Sequence, residues 1–365
     1  MRYLISIPLL LLLCGCTDLG YYWQNARGHL AVMDKRVEIT DLLADEKISQ
    51  HLRGRLLLVQ EIRDFSVERL ALPDNGSYHS YVELDRPYLI KNLFAAEEFS
   101  TRLRQWCYPL IGCASYRGYY DEERLREYVE QLVADGLEVY VGKVPAYSTL
   151  GWFDDPVLSS FIDWPDYRVA GLLFHELTHQ KIYLEGDTTF NESLASAVQQ
   201  AGTRLWLQSL HREDELASLA TWMSYRNEVV SLIESTRERL AALYSEDIDD
   251  ALKRERKAAI FNEARRDHDA IARKHGITGG FHQWFADGLN NAKLGSVSAY
   301  NAELPAFVAI LQALGEDFGA FFDYVEAVAA LDKEARDACL GAWSESPAAA
   351  RDACSGAGDL PPTAS

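Results

Sequence analysis

Basic residues are scarce in this sequence of 365 residues. Only 36 Lys and Arg stand against 55 Asp and Glu, which gives a formal net charge of −19. A nucleic-acid partner requires a basic face that contacts phosphates, so this composition argues against nucleic-acid binding. Long apolar runs are also missing: a membrane-spanning helix needs about 20 apolar residues, and no segment of the chain offers them. The sequence therefore predicts no membrane-spanning helix.

Cysteine is rare as well, with six residues in the chain. None has a Cys-x-x-Cys partner, which argues against a cysteine-based zinc site. Cys14 and Cys16 belong to the N-terminal segment. The remaining four are an even number, which in an exported chain indicates disulfides, although free buried thiols are an alternative. Three pairings are possible, and the short separations favour Cys107–Cys113 and Cys339–Cys354.

The N-terminus has the features of an export signal. Arg2 precedes an apolar run at Ile5–Leu13, and the run ends in the sequence “LCGC”. A large aliphatic residue, a small residue and then cysteine resemble a bacterial lipobox, in which Cys16 becomes the acylated first residue. An ordinary secretory signal with a chance cysteine is the alternative.

The lipobox predicts where the protein resides. We expect a lipoprotein signal peptide at residues 1–15, a tether at residues 16–30, and attachment to the lipid bilayer of the cell envelope through the acylated Cys16. Thr17, rather than an aspartate, follows the cysteine. This favours anchoring to the outer membrane, with the protein facing the periplasm.

The hydrophobic pattern predicts an α+β protein that is mostly helical. Alternating segments such as “SYHSYVEL” and “EVYVGKV” are typical of strands, and long amphipathic segments later in the chain are typical of paired helices. We predict a mixed α/β part at residues 31–203 and a helical subdomain at residues 204–345. The last residues, 346–365, are poor in bulky apolar side chains and are predicted to be a disordered tail.

One short motif predicts chemistry. The stretch “AGLLFHELTHQKIYL” contains His-Glu-x-x-His at His175, Glu176 and His179. On a helix over residues 168–184, the two histidines are four residues apart on one face, and both can contact one zinc ion. Glu176 lies beside them, where it can act as a general base toward a water molecule. The alternative is a helix with two histidines and no metal.

A third ligand must come from outside the motif. We expect Gly186 to end the first helix and Thr188 or Thr189 to begin the next, because this turn returns Glu192 to the two histidines. Two histidines and one glutamate leave a fourth position for water, as in catalytic zinc sites. Glu185 is the alternative ligand, but it requires a glycine turn where the chain has Ile182.

Other residues are weaker candidates. A tyrosine or histidine usually stabilises the transition state opposite the metal, and Tyr300 or His282 is a candidate for this role. Arg117 and Tyr119 are candidates for binding a substrate, Arg117 through a substrate carboxylate, although Arg117 equally fits a buried ion pair. The segment “EVYVGKVPAYST” is a candidate for the edge strand that pairs with the substrate backbone.

The motifs together resemble a known class of enzyme. “HELTH” followed by “FNESLAS” is similar to the zinc motif of gluzincins, which are zinc peptidases. The pieces “GCTDLGYYWQNARGHL”, “CASYRGYYDE”, “YSTLGWFDDPVLSS”, “FNESLASAVQQAG” and “LNNAKLGSVSAY” resemble a family of bacterial lipoproteins described as predicted aminopeptidases. This resemblance implies a zincin-like α/β part with an active-site helix, a bound zinc ion and a peptide substrate.

Two functions from different classes remain after this comparison. The first is a zinc metallopeptidase in the envelope, with aminopeptidase action implied by the resemblance and endopeptidase action still open. The second is a zinc-bearing envelope lipoprotein that binds a partner without catalysis. Both use the same ligands, but only hydrolysis requires Glu176 as a base. Its presence favours the enzyme.

Overall fold

A computed structural model describes residues 16–108, 112–146, 148–298 and 302–354. The protein is 62% helix and 10% strand, which confirms the predicted α+β, mostly helical class. None of the helices in these ranges is long and apolar enough to cross a membrane.

Fourteen helices lie in the described ranges, and half of them begin at a residue whose side chain caps the helix. Asp249, for example, accepts a hydrogen bond from the Leu252 N–H at the start of α8, and Gly276 ends that helix in the left-handed conformation. The helices are α1 (Cys16–Met33), α2 (Ile39–Ala44), α3 (Gln50–Leu70), α4 (Glu122–Ala134), α5 (Asp166–Lys181), α6 (Thr188–Ser209), α7 (Glu213–Ser245), α8 (Asp250–His275), α9 (His282–Ala286), α10 (Asn291–Ser298), α11 (Leu304–Ala313), α12 (Phe318–Ala329), α13 (Lys333–Glu345) and α14 (Pro347–Ala353).

The strands in the same ranges form three small sheets. One has the order β1-β2-β8, one has the antiparallel order β6-β3-β7, and β4 and β5 form a hairpin. In the second sheet Leu93 of β3 pairs with Arg117 of β6 and with Val141 of β7. The strands are β1 (Val37–Glu38), β2 (Ser80–Val82), β3 (Ile90–Glu97), β4 (Trp106–Tyr108), β5 (Gly112–Ala114), β6 (Arg117–Tyr119), β7 (Leu137–Val144) and β8 (Val157–Leu158).

The main hydrophobic core lies around α5 and α6. It joins side chains from α3, α5, α6, α11 and α13, represented by Leu56, Phe174, Leu194, Phe307 and Trp343. Helices α7 and α8 pack on each other around a second core that contains Tyr225 and Phe261. The helices after residue 302 therefore share the core of α5 and α6, and the predicted boundary at residues 203/204 falls inside α6.

The described residues near both chain ends differ from the sequence prediction, whereas the predicted signal peptide, residues 1–15, and the rest of the predicted tail, residues 355–365, lie outside the described ranges. Residues 16–30, predicted as a tether, belong to α1, whose Gln24 side chain accepts hydrogen bonds from the backbone of Tyr120 and Asp121. The tail predicted from residue 346 begins with α14, which a Cys339–Cys354 disulfide fastens to α13. A second disulfide, Cys107–Cys113, joins directly opposed residues of the β4–β5 hairpin. Amino-acid composition could not predict these two helices, because it carries no information on contacts between distant segments.

Candidate metal centre

Helix α5 carries the histidine motif into the interior. His179 and Glu176 are buried, and His175 is nearly so. Helix α6 can approach closely because α5 has a glycine at the crossing: a Cβ at Gly171 would lie 2.9 Å from Thr203 Oγ1. The motif therefore faces α6 rather than solvent.

The turn between α5 and α6 is built differently from the prediction. Helix α5 ends at Lys181, and Ile182 is already extended, so the helix predicted over residues 168–184 ends three residues early. Asp187, rather than Thr188 or Thr189, caps α6 by accepting a hydrogen bond from the Phe190 N–H. The Asn191 side chain binds both backbone groups of Leu184, each at 2.8 Å. This double hydrogen bond holds the turn against the first residues of α6.

The turn brings three ligand atoms together. His175 Nε2 lies 3.2 Å from Glu192 Oε2 and 3.3 Å from His179 Nε2, and His179 Nε2 lies 3.9 Å from the same carboxylate oxygen. Ligands at about 2.0–2.1 Å from a tetrahedral zinc ion are separated by about 3.3 Å, so the three atoms have the spacing of one face of such a site. Glu185 is exposed and is not part of this cluster.

The electrostatics of the three residues suit a bound cation. Burial alone would lower the pKa of His175, but the Glu192 carboxylate outweighs burial and raises it. His179 is further from that carboxylate, and burial lowers its pKa to about 4. Burial raises the pKa of Glu192, but the two histidines outweigh it and hold the pKa below its ordinary value. A carboxylate and a neutral imidazole are the forms that ligate a metal, so these shifts favour the ligating forms of Glu192 and His179, whereas a metal must displace the proton that Glu192 favours on His175.

Glu176 is held beside the ligands by the loop that precedes α5. Its carboxylate accepts a hydrogen bond from the backbone N–H of Ser148, and burial raises its pKa to about 7. Asp155 ends the same loop and accepts a hydrogen bond from Gln180 Nε2 of α5 at 2.8 Å. The loop is thus fastened to α5 at both ends.

Two tyrosines that sequence reasoning missed lie close enough to be coupled to the site. Burial and the nearby Glu192 carboxylate raise the pKa of Tyr116 well above its ordinary value. Burial and the same carboxylate raise the pKa of Tyr183. Tyr116 follows the β4–β5 hairpin, and the hairpin touches the α5–α6 turn: a Cβ at Gly112 would lie 3.0 Å from the Gly186 backbone. No sequence pattern links these segments, because the contact spans some 70 residues.

The other predicted candidates lie elsewhere. Tyr300 is outside the described residues. The guanidinium of Arg117 is buried over the ring of Tyr21 at 3.9 Å, and Tyr119 is buried in the same aromatic cluster. His282 lies 5.0 Å from the ring of His268 on α8. The Arg117 guanidinium contacts aromatic rings, and the roles of Arg117 and Tyr119 toward a substrate stay predictions.

A buried ion pair fixes the start of α6. Asp187 Oδ2 lies 2.9 Å from Arg336 Nη2 of α13, and both side chains are more than 90% buried. Lys333 also reaches Asp187, at 3.4 Å, but is largely exposed. Burial raises the pKa of Asp187, but the Phe190 N–H and Arg336 outweigh it and hold the pKa below its ordinary value.

Removing this ion pair should destabilise the fold. In Arg336→Met the Asp187 carboxylate stays buried without its main partner, and we expect a loss of about 3 kcal/mol in the free energy of unfolding. Because the pKa of Asp187 is lowered on folding, the difference in the free energy of unfolding between the two proteins should be fully present at pH 7. It should disappear as the pH falls through the folded-state pKa of Asp187. Urea unfolding measures both effects. Lys333→Met is the matched control, and an equal loss there would contradict the assignment.

Comparison with known proteins places the chain in a family. No curated protein and no solved structure matches the sequence significantly. A family model with the description “Putative aminopeptidase” matches residues 20–340, which is most of the 365 residues and includes α5 and α6. The chain therefore belongs to this aminopeptidase family.

Proposed function

We propose that the protein is a gluzincin-type zinc metallopeptidase that removes residues from the N-terminus of peptides. The observation that carries the proposal is the convergence of His175, His179 and Glu192 with a buried glutamate, Glu176, beside them. Membership of an aminopeptidase family supports the reaction class. Two imidazoles and one carboxylate are one of the donor sets that hold catalytic zinc.

Each residue of the candidate site has its own role in the proposed reaction. Bound by the three ligands, zinc would polarise the scissile carbonyl and lower the pKa of a water molecule. Glu176 accepts the proton of the attacking water and returns it to the leaving amine. The Ser148 N–H holds the Glu176 carboxylate in place. The Asn191 amide keeps the α5–α6 turn closed, so Glu192 stays opposite the histidines.

Tyr116 is our candidate for stabilising the transition state. Its raised pKa keeps the hydroxyl protonated, so the group can donate a hydrogen bond to the developing oxyanion. Tyr116→Phe should lower kcat about 100-fold, the usual cost of one oxyanion donor, with metal content unchanged. Steady-state kinetics of Tyr116→Phe, Tyr183→Phe and Tyr300→Phe separate the candidates. A loss confined to Tyr183→Phe or Tyr300→Phe would show that another tyrosine has the role.

A digest of a peptide library tests the function itself. The purified protein is assayed for zinc and then incubated with matched unblocked and N-acetylated peptides. Cleavage that needs a free N-terminus supports an aminopeptidase, and equal cleavage of both sets indicates an endopeptidase. If the protein holds zinc and cuts nothing, the second function, a zinc-bearing lipoprotein that binds its partner without catalysis, replaces the first.

The proposed location is the bacterial envelope. The lipobox at Cys16 supports acylation of this cysteine, attachment to the outer membrane and exposure of the protein to the periplasm. Cys16 is also the first residue of α1, so cleavage before it would leave every described helix intact.

Loss of the acylated cysteine should detach the protein. Cys16→Ala should abolish incorporation of labelled fatty acid and move the protein from the membrane fraction to the soluble periplasmic fraction. Cys14→Ala is the matched control and should behave like the unmodified protein. If labelling instead disappears only in Cys14→Ala, the lipid is attached to the other cysteine.

A further inference from the structure

Exposed aromatic and aliphatic side chains are concentrated in one region of the surface. Helix α1 presents Trp23 and Leu30, which are 67% and 55% exposed, and the loop before α5 presents Trp152 and Phe153, which are 75% and 49% exposed. Single exposed apolar residues are ordinary, whereas a cluster of large ones marks an interaction surface. We call these four residues the docking face.

The two segments of the docking face touch each other. The rings of His29 on α1 and Phe153 in the loop are 4.7 Å apart, and Arg36 donates a hydrogen bond to the backbone carbonyl of Asp154 at 3.3 Å. Trp23 and Leu30 are seven residues apart and therefore lie on the same side of α1. The helix and the loop thus present their apolar side chains on adjoining surface.

The charge around the docking face differs from that of the whole chain. Residues 20–36 and the loop tip, residues 152–154, contain Arg27, Lys35 and Arg36 and two carboxylates, Asp34 and Asp154, a net charge of +1 (3 − 2), whereas the whole chain has −19. All three cations are exposed. A basic patch on an acidic protein is complementary to anionic lipid headgroups, and tryptophan is enriched where a bilayer meets water.

The position of the docking face in the chain supports the same occupant. Helix α1 begins at Cys16, directly after the 15 residues that contain the apolar run Ile5–Leu13. Trp23 is seven residues further, about 10 Å along the helix. We propose that the docking face rests on an anionic phospholipid bilayer and inserts its four apolar side chains into the headgroup region. This inference concerns orientation and does not depend on peptidase activity.

Docking would also orient the candidate metal centre. The loop that carries Trp152 and Phe153 begins beside Ser148, whose N–H binds Glu176, and ends at Asp155, which binds Gln180 of α5. Insertion of the loop tip therefore fixes the metal centre close to the bilayer surface. Substrates presented at that surface, such as the segments of membrane-attached chains that lie next to the lipid, would be within its reach.

Spin-label depth measurements on the full chain test the proposal. Ala26→Cys places the label on α1 between Trp23 and Leu30, and Ala258→Cys places it at another exposed helical position, on α8. The protein is bound to vesicles of phosphatidylglycerol and phosphatidylethanolamine, and the signal of the chain without an introduced cysteine is subtracted. We expect an immersion depth of about 5 Å at position 26 and none at position 258.

A second comparison tests the side chains themselves. Adding Trp152→Ser and Phe153→Ser to Ala26→Cys should abolish the immersion. Adding Leu57→Ser and Leu210→Ser, which remove two other exposed apolar side chains outside the docking face, should leave it unchanged. The proposal is overturned if the label at position 26 is as exposed to water as the label at position 258. It is also overturned if the chain does not float with vesicles. Shielding at position 26 that depends on protein concentration in vesicle-free samples also overturns it, in favour of a second copy of the chain.

Discussion

Replacing Glu176 with glutamine is expected to slow peptide cleavage by about 10²–10⁴-fold while zinc stays bound, the range typical for loss of general acid–base catalysis. Glutamine keeps the size of the side chain and can still accept the Ser148 N–H hydrogen bond. It cannot accept a proton from the attacking water, so the nucleophile is no longer generated within the site. The fold should be unchanged, because Glu176 lies beside the three ligand atoms and is not one of them.

The measurement combines kinetics with metal analysis on the same preparations. Glu185→Gln is the matched control, because Glu185 is an exposed glutamate of the same region and lies outside the ligand cluster. The control should keep both zinc and turnover. Retained turnover in Glu176→Gln would remove the assigned base. Loss of zinc in Glu176→Gln would instead indicate that Glu176 contributes to holding the metal.

The cluster of His175, His179 and Glu192 is the part of the candidate site that sequence alone could predict. Helical periodicity places His175 and His179 on one face, and a short turn returns Glu192 to them. These relations are local, so they depend on little beyond the geometry of two helices. The N-cap of α6 and the end of α5 were predicted less well. Asp187, which caps α6, is positioned by its ion pair with α13, and Ile182, which follows α5, is positioned by the core.

Residues that act from distant segments were not predictable. Tyr116 lies near enough to the Glu192 carboxylate to be influenced by its charge because the preceding β4–β5 hairpin packs on the α5–α6 turn. Ser148 reaches Glu176 because its loop is fastened to Gln180. The surroundings of Arg117 were not predictable for the same reason: three tyrosine rings, from α1, β6 and α4, lie against its guanidinium. Such arrangements are tertiary and leave no periodic signal in the sequence.

The second large effect is expected on zinc affinity, and it distinguishes Glu192 from Glu185 as the third ligand. Glu192→Ala should lower zinc affinity by more than about 100-fold, since even the residues that only orient metal ligands cost about 10–100-fold when they are removed. Glu185→Ala should keep full affinity, because its side chain is exposed and outside the cluster. His175→Ala is the positive control and should also lose the metal.

Competition with a chelator of known affinity measures the zinc dissociation constant of each variant, and circular dichroism shows whether Glu192→Ala is still folded. Glu192→Gln covers the case in which the alanine variant unfolds, because it preserves the volume of this buried side chain and removes its charge. If Glu192→Ala and Glu192→Gln both kept full affinity while Glu185→Ala lost it, the third ligand would be Glu185. The α5–α6 turn would then have to change conformation when zinc binds. In the present structure the hydrogen bonds of the Asn191 side-chain amide keep Leu184 in place, and the neighbouring Glu185 is exposed to solvent.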